Sequence, residues 1–299
     1  MWLLLSLLMT GDIQQFPGGK TLPHEKYIHV VSEADSPVEK VYIKSKDGLY
    51  VAAAMRKPKG DGPFPVLVHF HGAPGGRGME QLVGWARGDF GSPVFERFLQ
   101  EGYVVVIADY RNVNFATLGE APPADAVTYA DDAVAVIDHV KKLPFVDASR
   151  IHVYGVSLGG DVTMHLLART SVRAAILGAG APIRFLGVKA DPNAPREDRF
   201  RGMTVDEARA TANIEKVTTP ILILVGTADS LLPLNRALHD RLEKAGKKVR
   251  MEIYENGYHD FVMGPQGQNR PDLQGGERLM DITMMALESA VKFVKQPTP

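Results

Sequence analysis

The chain has 299 residues, 45% hydrophobic and 23% charged, a balance of folded globular proteins that excludes disordered and fibrous classes. A formal net charge of −1, with no Lys/Arg run, gives no electrostatic footprint for nucleic acid or an anionic membrane, so the expected partner is a small neutral molecule. Cysteine is absent, which excludes disulfides, thiolate metal sites and a thiol nucleophile.

The opening run "MWLLLSLLMTGD" is too short to span a bilayer, and no later stretch is long and apolar enough to do so. It reads either as the core of a signal peptide without a positive start or a small-x-small cleavage site, or as a segment packed on the fold. Residues 1–25 are therefore set apart as an extension or signal-like remnant, and export stays open. Next, "EKVYIKSKDGLYVAAAMRKP" predicts two antiparallel strands around the Asp47-Gly48 turn. The pattern then changes to apolar runs separated by helical segments: "PVLVHFHG", "YVVVIADY", "RIHVYG", "RAAILGAG", "PILILVG" and "KVRMEIYE". Strands buried on both faces need such continuous Val/Ile/Leu runs, and alternation with helices predicts parallel crossovers.

Val127, Tyr129, Ala133, Val136, Ile137 and Val140 mark one helix at mostly 3/4 spacing, with Lys141 and Lys142 suited to its C-terminal end. Leu279, Ile282, Ala286, Ala290 and Phe293 mark another near the C-terminus. Residues 182–215 are polar and proline-punctuated, and predict a small insertion over the sheet edge. No repeat, low-complexity tract or linker divides the chain, so residues 1–299 are expected to form a single α/β domain.

Gly155-Val156-Ser157-Leu158-Gly159 fits G-x-S-x-G between a predicted strand and a predicted helix, the context that gives this common pattern its meaning. A sharp strand-to-helix turn strains the serine and crowds its flanks, so the neighbours must be small. The hydroxyl then stands at the carboxyl end of the sheet, beside unpaired amides at the helix N-terminus.

A serine hydroxyl needs a base. In nucleophile turns of this kind the acid and then the histidine follow the serine in chain order. Asp229 lies in the loop after "PILILVG", and His259 in the loop after the last predicted strand. Of 9 histidines, His152 falls within a strand, His139, His165 and His239 on helices, and His24 and His29 before the core, where structural or surface roles are the default. Asp260 adjoins His259 too closely to orient its ring, and Asp109 follows too early a strand.

An oxyanion needs two donors, one from the amide of Leu158 and one from the glycine-rich loop "HFHGAPGGRG". Ala73 is the expected second donor, with Gly72 as the alternative. This loop lacks the Gly-Lys-Ser/Thr of a phosphate loop. "GAGAPI" at 178–183 departs from a dinucleotide fingerprint at Pro182 and Ile183 and reads as a strand end.

These residues together resemble the α/β-hydrolase superfamily, and within it the prolyl oligopeptidase-like serine hydrolases and dienelactone hydrolase-like esterases. "HGAP" is similar to the family's HGGP-type oxyanion loop, "DYRN" to its D-x-R-G segment, "VDASRIHVYGVSLGG" to its nucleophile region, "GTADSLLP" to its acid loop and "GYHDF" to its histidine loop. The similarity runs from about residue 40 to 295 and implies a mostly parallel central sheet with antiparallel N-terminal strands, helices on both faces, and Ser157, Asp229 and His259 as a triad. Ala73 stands in place of the second glycine of HGGP and Asn112 in place of the glycine of D-x-R-G. The β-propeller of prolyl oligopeptidases has no counterpart in the sequence, and the cysteine of dienelactone hydrolases proper is replaced by serine.

The expected activity is cleavage of a small carboxylic ester through an acyl-enzyme, without metal or cofactor. The alternatives are an oligopeptidase- or aminopeptidase-like serine peptidase, and a non-catalytic binding module on the same scaffold. Pocket walls are expected from 182–215, Tyr110–Ala116 and the loop 262–276, none of which carries a decodable specificity motif; oligomeric state is open.

Overall fold

Each apolar run read from the sequence is a strand of one sheet. The computed structural model describes residues 13–16, 35–73, 75–89, 92–110, 126–195, 197–264 and 276–296. Most of the 1–25 extension, residues 111–116 with Asn112, His24, His29 and residues 265–275 lie outside the described residues. The strands are β1 (Ile13–Phe16), β2 (Glu39–Lys44), β3 (Tyr50–Arg56), β4 (Phe64–Phe70), β5 (Val104–Ala108), β6 (Val146–Val156), β7 (Ala174–Gly178), β8 (Ile221–Gly226) and β9 (Val249–Tyr254). The helices are α1 (Met79–Arg87), α2 (Pro93–Gln100), α3 (Ala126–Val140), α4 (Leu158–Leu167), α5 (Ile183–Leu186), α6 (Glu207–Ile214), α7 (Leu232–Lys244) and α8 (Gly276–Lys295).

The 9-stranded sheet has the order β1-β9-β8-β7-β6-β4-β5-β3-β2. β2 and β3 form the predicted antiparallel hairpin, closed by Ser45 and Leu49 around Gly48 at φ 91°. From β4 to β9 every pairing between neighbours is parallel. An edge strand that the sequence pattern does not signal, β1, pairs parallel with β9.

Alternate residues of the strands sort onto the two faces. Val105 and Ile107 pack with Leu82, Phe95, Phe98, Leu287 and Val291 of α1, α2 and α8. Val104 and Val106 pack on the other face with Ile137 and Leu166 of α3 and α4. α7 covers the same face farther along, where Leu234 and Leu238 meet Ile223 and Ile253. This is the α/β-hydrolase architecture, with helices on both faces.

The C-terminal helix buries Leu279, Ile282, Ala286 and Ala290 as its spacing predicts. In α3, Tyr129, Ala133, Val136, Ile137 and Val140 are buried, but Val127 is 40% exposed. Two residues along a helix turn a side chain to roughly the opposite side, so Val127 and Tyr129 cannot share one face. Among the described residues no helix is long and apolar enough to cross a membrane.

Parallel strands deliver their C-terminal ends to one rim. The loops after β4, β6, β8 and β9 therefore meet there, and residues 182–215 lie over the same rim. Phe185, Leu186, Phe200, Ala210 and Ile214 of that insertion are buried against the sheet's α4 and α7 side.

Candidate active site

Ser157 occupies the single residue between β6 and α4, at φ 53° and ψ −116°. Such a conformation costs an ordinary residue about 1–3 kcal/mol, so the surroundings must impose it. They do so through hydrogen bonds: the Ser157 amide donates to Gly178 at 3.1 Å, and its carbonyl accepts from Gly160 at 2.9 Å and Ala181 at 2.8 Å. The glycines of the turn are required by space. A Cβ on Gly159 would lie 1.9 Å from the Phe70 carbonyl oxygen, and one on Gly155 would lie 2.2 Å from Thr163 Oγ1. Strand end, nucleophile turn and the loop after β4 are thus pressed together. Leu158 opens α4, where the first amides of a helix have no acceptor within it.

The loop after β4 brings Gly72 beside the serine, a Cβ at Gly72 lying 3.2 Å from Ser157 Cβ. Its shape is set by residues that sequence reasoning missed. Buried Asp109, at the end of β5, accepts hydrogen bonds from the amides of Arg77 at 3.1 Å, Gly78 at 2.7 Å and Tyr110 at 2.7 Å. His71 Nε2 lies 3.1 Å from Asp109 Oδ1, and its Nδ1 lies 2.7 Å from the Gly72 carbonyl oxygen. The Tyr110 hydroxyl donates to the His71 carbonyl at 2.7 Å. Burial pushes the Asp109 pKa up, but hydrogen bonding and charge from His71 and the Gly78 and Tyr110 amides outweigh it and hold the carboxyl below its ordinary value. Two signals in the sequence touch Asp109, its place at the end of an apolar strand and the D-x-R-G-like segment "DYRN" that it opens, and neither names the loop whose amides it holds.

Asp229 and His259 come together because the loops after β8 and β9 are laced to one another. The amides of Thr227 and Ala228 donate to the carbonyls of Tyr254 and Gly257, and the Asn256 amide donates to Thr227 Oγ1. Gly226 has no room for a side chain, since a Cβ there would lie 1.8 Å from the Gly257 carbonyl oxygen. Asp229 is buried and its Oδ1 accepts the Leu231 amide at 2.9 Å. Its Oδ2 lies 3.0 Å from His259 Nδ1. A carboxylate only accepts, so Nδ1 carries the proton, and Nε2 is the basic nitrogen of the neutral ring.

Ser157, Leu158, Ala73 and His259 line one cavity of about 740 Å³, with Asp229 behind the histidine. Every site residue named from the sequence is therefore at this rim. The insertion supplies much of the rest of the wall, including Ile183, Val188 and Phe200. It is anchored from below by buried Asp161 of α4, whose oxygens accept the amides of Arg184 at 3.1 Å and Phe185 at 3.0 Å. Asp161 was also missed, since nothing in "LGGDVTM" distinguishes an anchoring aspartate from a surface one.

The sequence profile of the prolyl oligopeptidase family matches residues 92–274. The chain is 26% identical over 251 residues to the uncharacterized peptidase YuxL of Bacillus subtilis, covering 75% of this chain and 35% of that protein. It spans about a quarter to a third of the length of the first curated relatives it matches. In three dimensions it is similar to esterase Est22, with a TM-score of 0.63 and 16% identity over 90% of this chain and 83% of the other. The dienelactone hydrolase of Anabaena variabilis gives a TM-score of 0.57 and 16% identity over 86% and 98% of the two chains. These structural likenesses establish the α/β-hydrolase fold. The family profile covers more than half of the sequence, from α2 through the nucleophile turn and the histidine loop, and so the chain belongs to the prolyl oligopeptidase family.

Proposed function

We propose that this serine hydrolase cleaves carboxylic esters through an acyl-enzyme, with Ser157 as nucleophile, His259 as general base and acid, and Asp229 as the group that orients the imidazole. The observation that carries this reading is the 3.0 Å contact of His259 Nδ1 with Asp229 Oδ2, at a cavity that Ser157 also lines. As Ser157 Oγ attacks the ester carbonyl, its proton passes to His259 Nε2, and Asp229 stabilises the imidazolium. The amides of Leu158 and Ala73 receive the oxyanion. Collapse breaks the bond to the alcohol, which leaves with the proton from His259. Water then attacks the acyl-enzyme by the same route and releases the acid. No metal or cofactor enters this sequence of steps.

The names of the two structural neighbours, an esterase and a dienelactone hydrolase, support the ester reading. The peptidase name of the B. subtilis relative supports a second one, an oligopeptidase- or aminopeptidase-like activity. Amide cleavage has a poorer leaving group and leans harder on protonation by His259. Comparing one acyl group as its 4-nitrophenyl ester and its 4-nitroanilide separates the two: faster ester turnover is expected, and faster anilide turnover favours the peptidase. Labelling of Ser157 by a fluorophosphonate is expected in the folded protein, and its failure would favour a non-catalytic module.

A further inference from the structure

Among the described residues, the wall of the Ser157 cavity carries more cations than carboxylates, although the chain's formal net charge is −1. Arg184, Lys189, Arg199 and Arg209 line it, against Asp161 and Asp206. Both acids are already engaged. Asp161 accepts the Arg184 and Phe185 amides. Asp206 caps α6 by accepting the Arg209 amide at 3.0 Å, and its other oxygen lies 4.0 Å from Arg209 Nε. Among the described residues, no carboxylate lies within ion-pair distance of Lys189 or Arg199.

These cations sit on built structure. Lys189 pairs with Thr204 in an antiparallel bridge, each amide donating to the other's carbonyl at 2.9 Å. The Asp206 amide donates to the Leu186 carbonyl at 3.2 Å, tying the start of α6 to the end of α5. Arg209 lies across the close turn at Gly187, where a Cβ would be 3.0 Å from Arg209 Cδ. Arg199 precedes Phe200, which is buried in the core beneath the insertion. Cations without a carboxylate in ion-pair range among the described residues, as Lys189 and Arg199 are, focus a positive potential into a concave site when they share one wall of it, and guanidinium groups match a carboxylate in two-pronged geometry.

We infer that the Ser157 cavity selects esters that carry a carboxylate, recognised by Lys189 and Arg199 together with Arg184 and Arg209. This inference rests on the hydrolase reading of Ser157 and names its substrate class. It replaces the neutral partner suggested by the whole-chain charge, because an average over the chain hides a local excess.

Two matched pairs of esters test it. 4-Acetoxybenzoate against its methyl ester places the charge on the alcohol side, and mono-4-nitrophenyl adipate against 4-nitrophenyl hexanoate places it on the acyl side. The wild type is expected to show a higher kcat/KM on the charged member of at least one pair, narrowing as salt shortens the reach of the field. The pair that responds identifies which half of the substrate the wall reads. Replacing both cations, Lys189→Glu with Arg199→Glu, is expected to lower the charged-to-neutral ratio about tenfold, and Lys189→Gln with Arg199→Gln to lower it by about threefold, as modest interactions of exposed charges allow. The uncharged pair of substitutions keeps the test alive if charge reversal prevents folding. A ratio at or below one in both pairs, or one that neither double variant changes, overturns the inference. Failure to turn over either member of either pair overturns the hydrolase reading instead, and the inference with it.

Discussion

Ser157 is held by backbone hydrogen bonds that do not involve its side chain, so Ser157→Ala is expected to fold normally while ester turnover falls by at least about 10³-fold. A denaturant midpoint within error of the wild type, read beside the loss of 4-nitrophenyl ester cleavage, checks both halves. Asp229 fixes the tautomer of His259 through the Nδ1 contact. Asp229→Asn places an amide where only an acceptor serves, and kcat is expected to fall about 10⁴-fold. Asp109 acts differently. It touches no reacting atom in the proposed mechanism, but its oxygens hold the Arg77, Gly78 and Tyr110 amides and His71. Asp109→Asn is expected to lower kcat by about tenfold or more with little change in KM, because the second oxyanion donor loses its support. Equal losses in kcat and in the unfolding midpoint, with KM rising, would mark Asp109 as a general stabiliser and not a positioning residue.

At the scale of the element, close approach governs. The loops after β8 and β9 share backbone hydrogen bonds, and the Gly226 to Gly257 contact leaves no space for a methyl group. Gly226→Ala must push the loops apart, and with them Asp229 and His259. The expected cost is about 2–4 kcal/mol of stability, with activity falling by more than stability alone predicts at temperatures where the variant is folded. Circular dichroism melting beside kcat measured well below the midpoint distinguishes the two effects. Another element-level tie is the buried pair Arg56 and Glu96, 2.6 Å apart, which links β3 to α2. Arg56→Met leaves Glu96 buried without its partner and is expected to cost about 3–5 kcal/mol, and adding Glu96→Leu to recover much of that in urea unfolding.

For the whole molecule, the sheet interior sets a pH limit. His152 of β6 is buried against Val66 and Tyr103. Burial lowers its pKa from 6.5 to about 4, against the raising effect of the Val66 carbonyl. The unfolded chain therefore takes up a proton below pH 6.5 that the folded chain refuses, and stability is lost as pH falls from there toward 4. The same sign applies to His69, whose pKa burial and the charge of His71 lower to about 3. Each imidazole contributes a slope of up to about 1.4 kcal/mol per pH unit within its window. His152→Asn keeps a donor for the Val66 carbonyl and removes the titration, so a shallower fall of the melting temperature between pH 6.5 and 4 is expected. A slope equal to that of the wild type would exclude His152 as a source.

The sequence by itself determined the alternation of strands and helices, the hairpin at Asp47-Gly48, and the order of serine, acid and histidine along the chain. These are local properties: a continuous Val/Ile run, a turn dipeptide, or a serine flanked by glycines imposes its geometry within a few residues. Helices α1 and α2 were not read, and β1 gives no local sign of its pairing with β9, because four residues form a strand only when a neighbour supplies the other half of the hydrogen bonds. The organising roles of Asp109 and Asp161 have no local sign for the same reason, since Arg77 and Gly78 lie 32 and 31 residues from Asp109, and Arg184 and Phe185 of α5 lie 23 and 24 residues from Asp161. The cationic wall emerges only when 184, 189, 199 and 209 are folded onto one cavity. Tertiary structure decided these features because they depend on distances through space, which chain spacing does not encode.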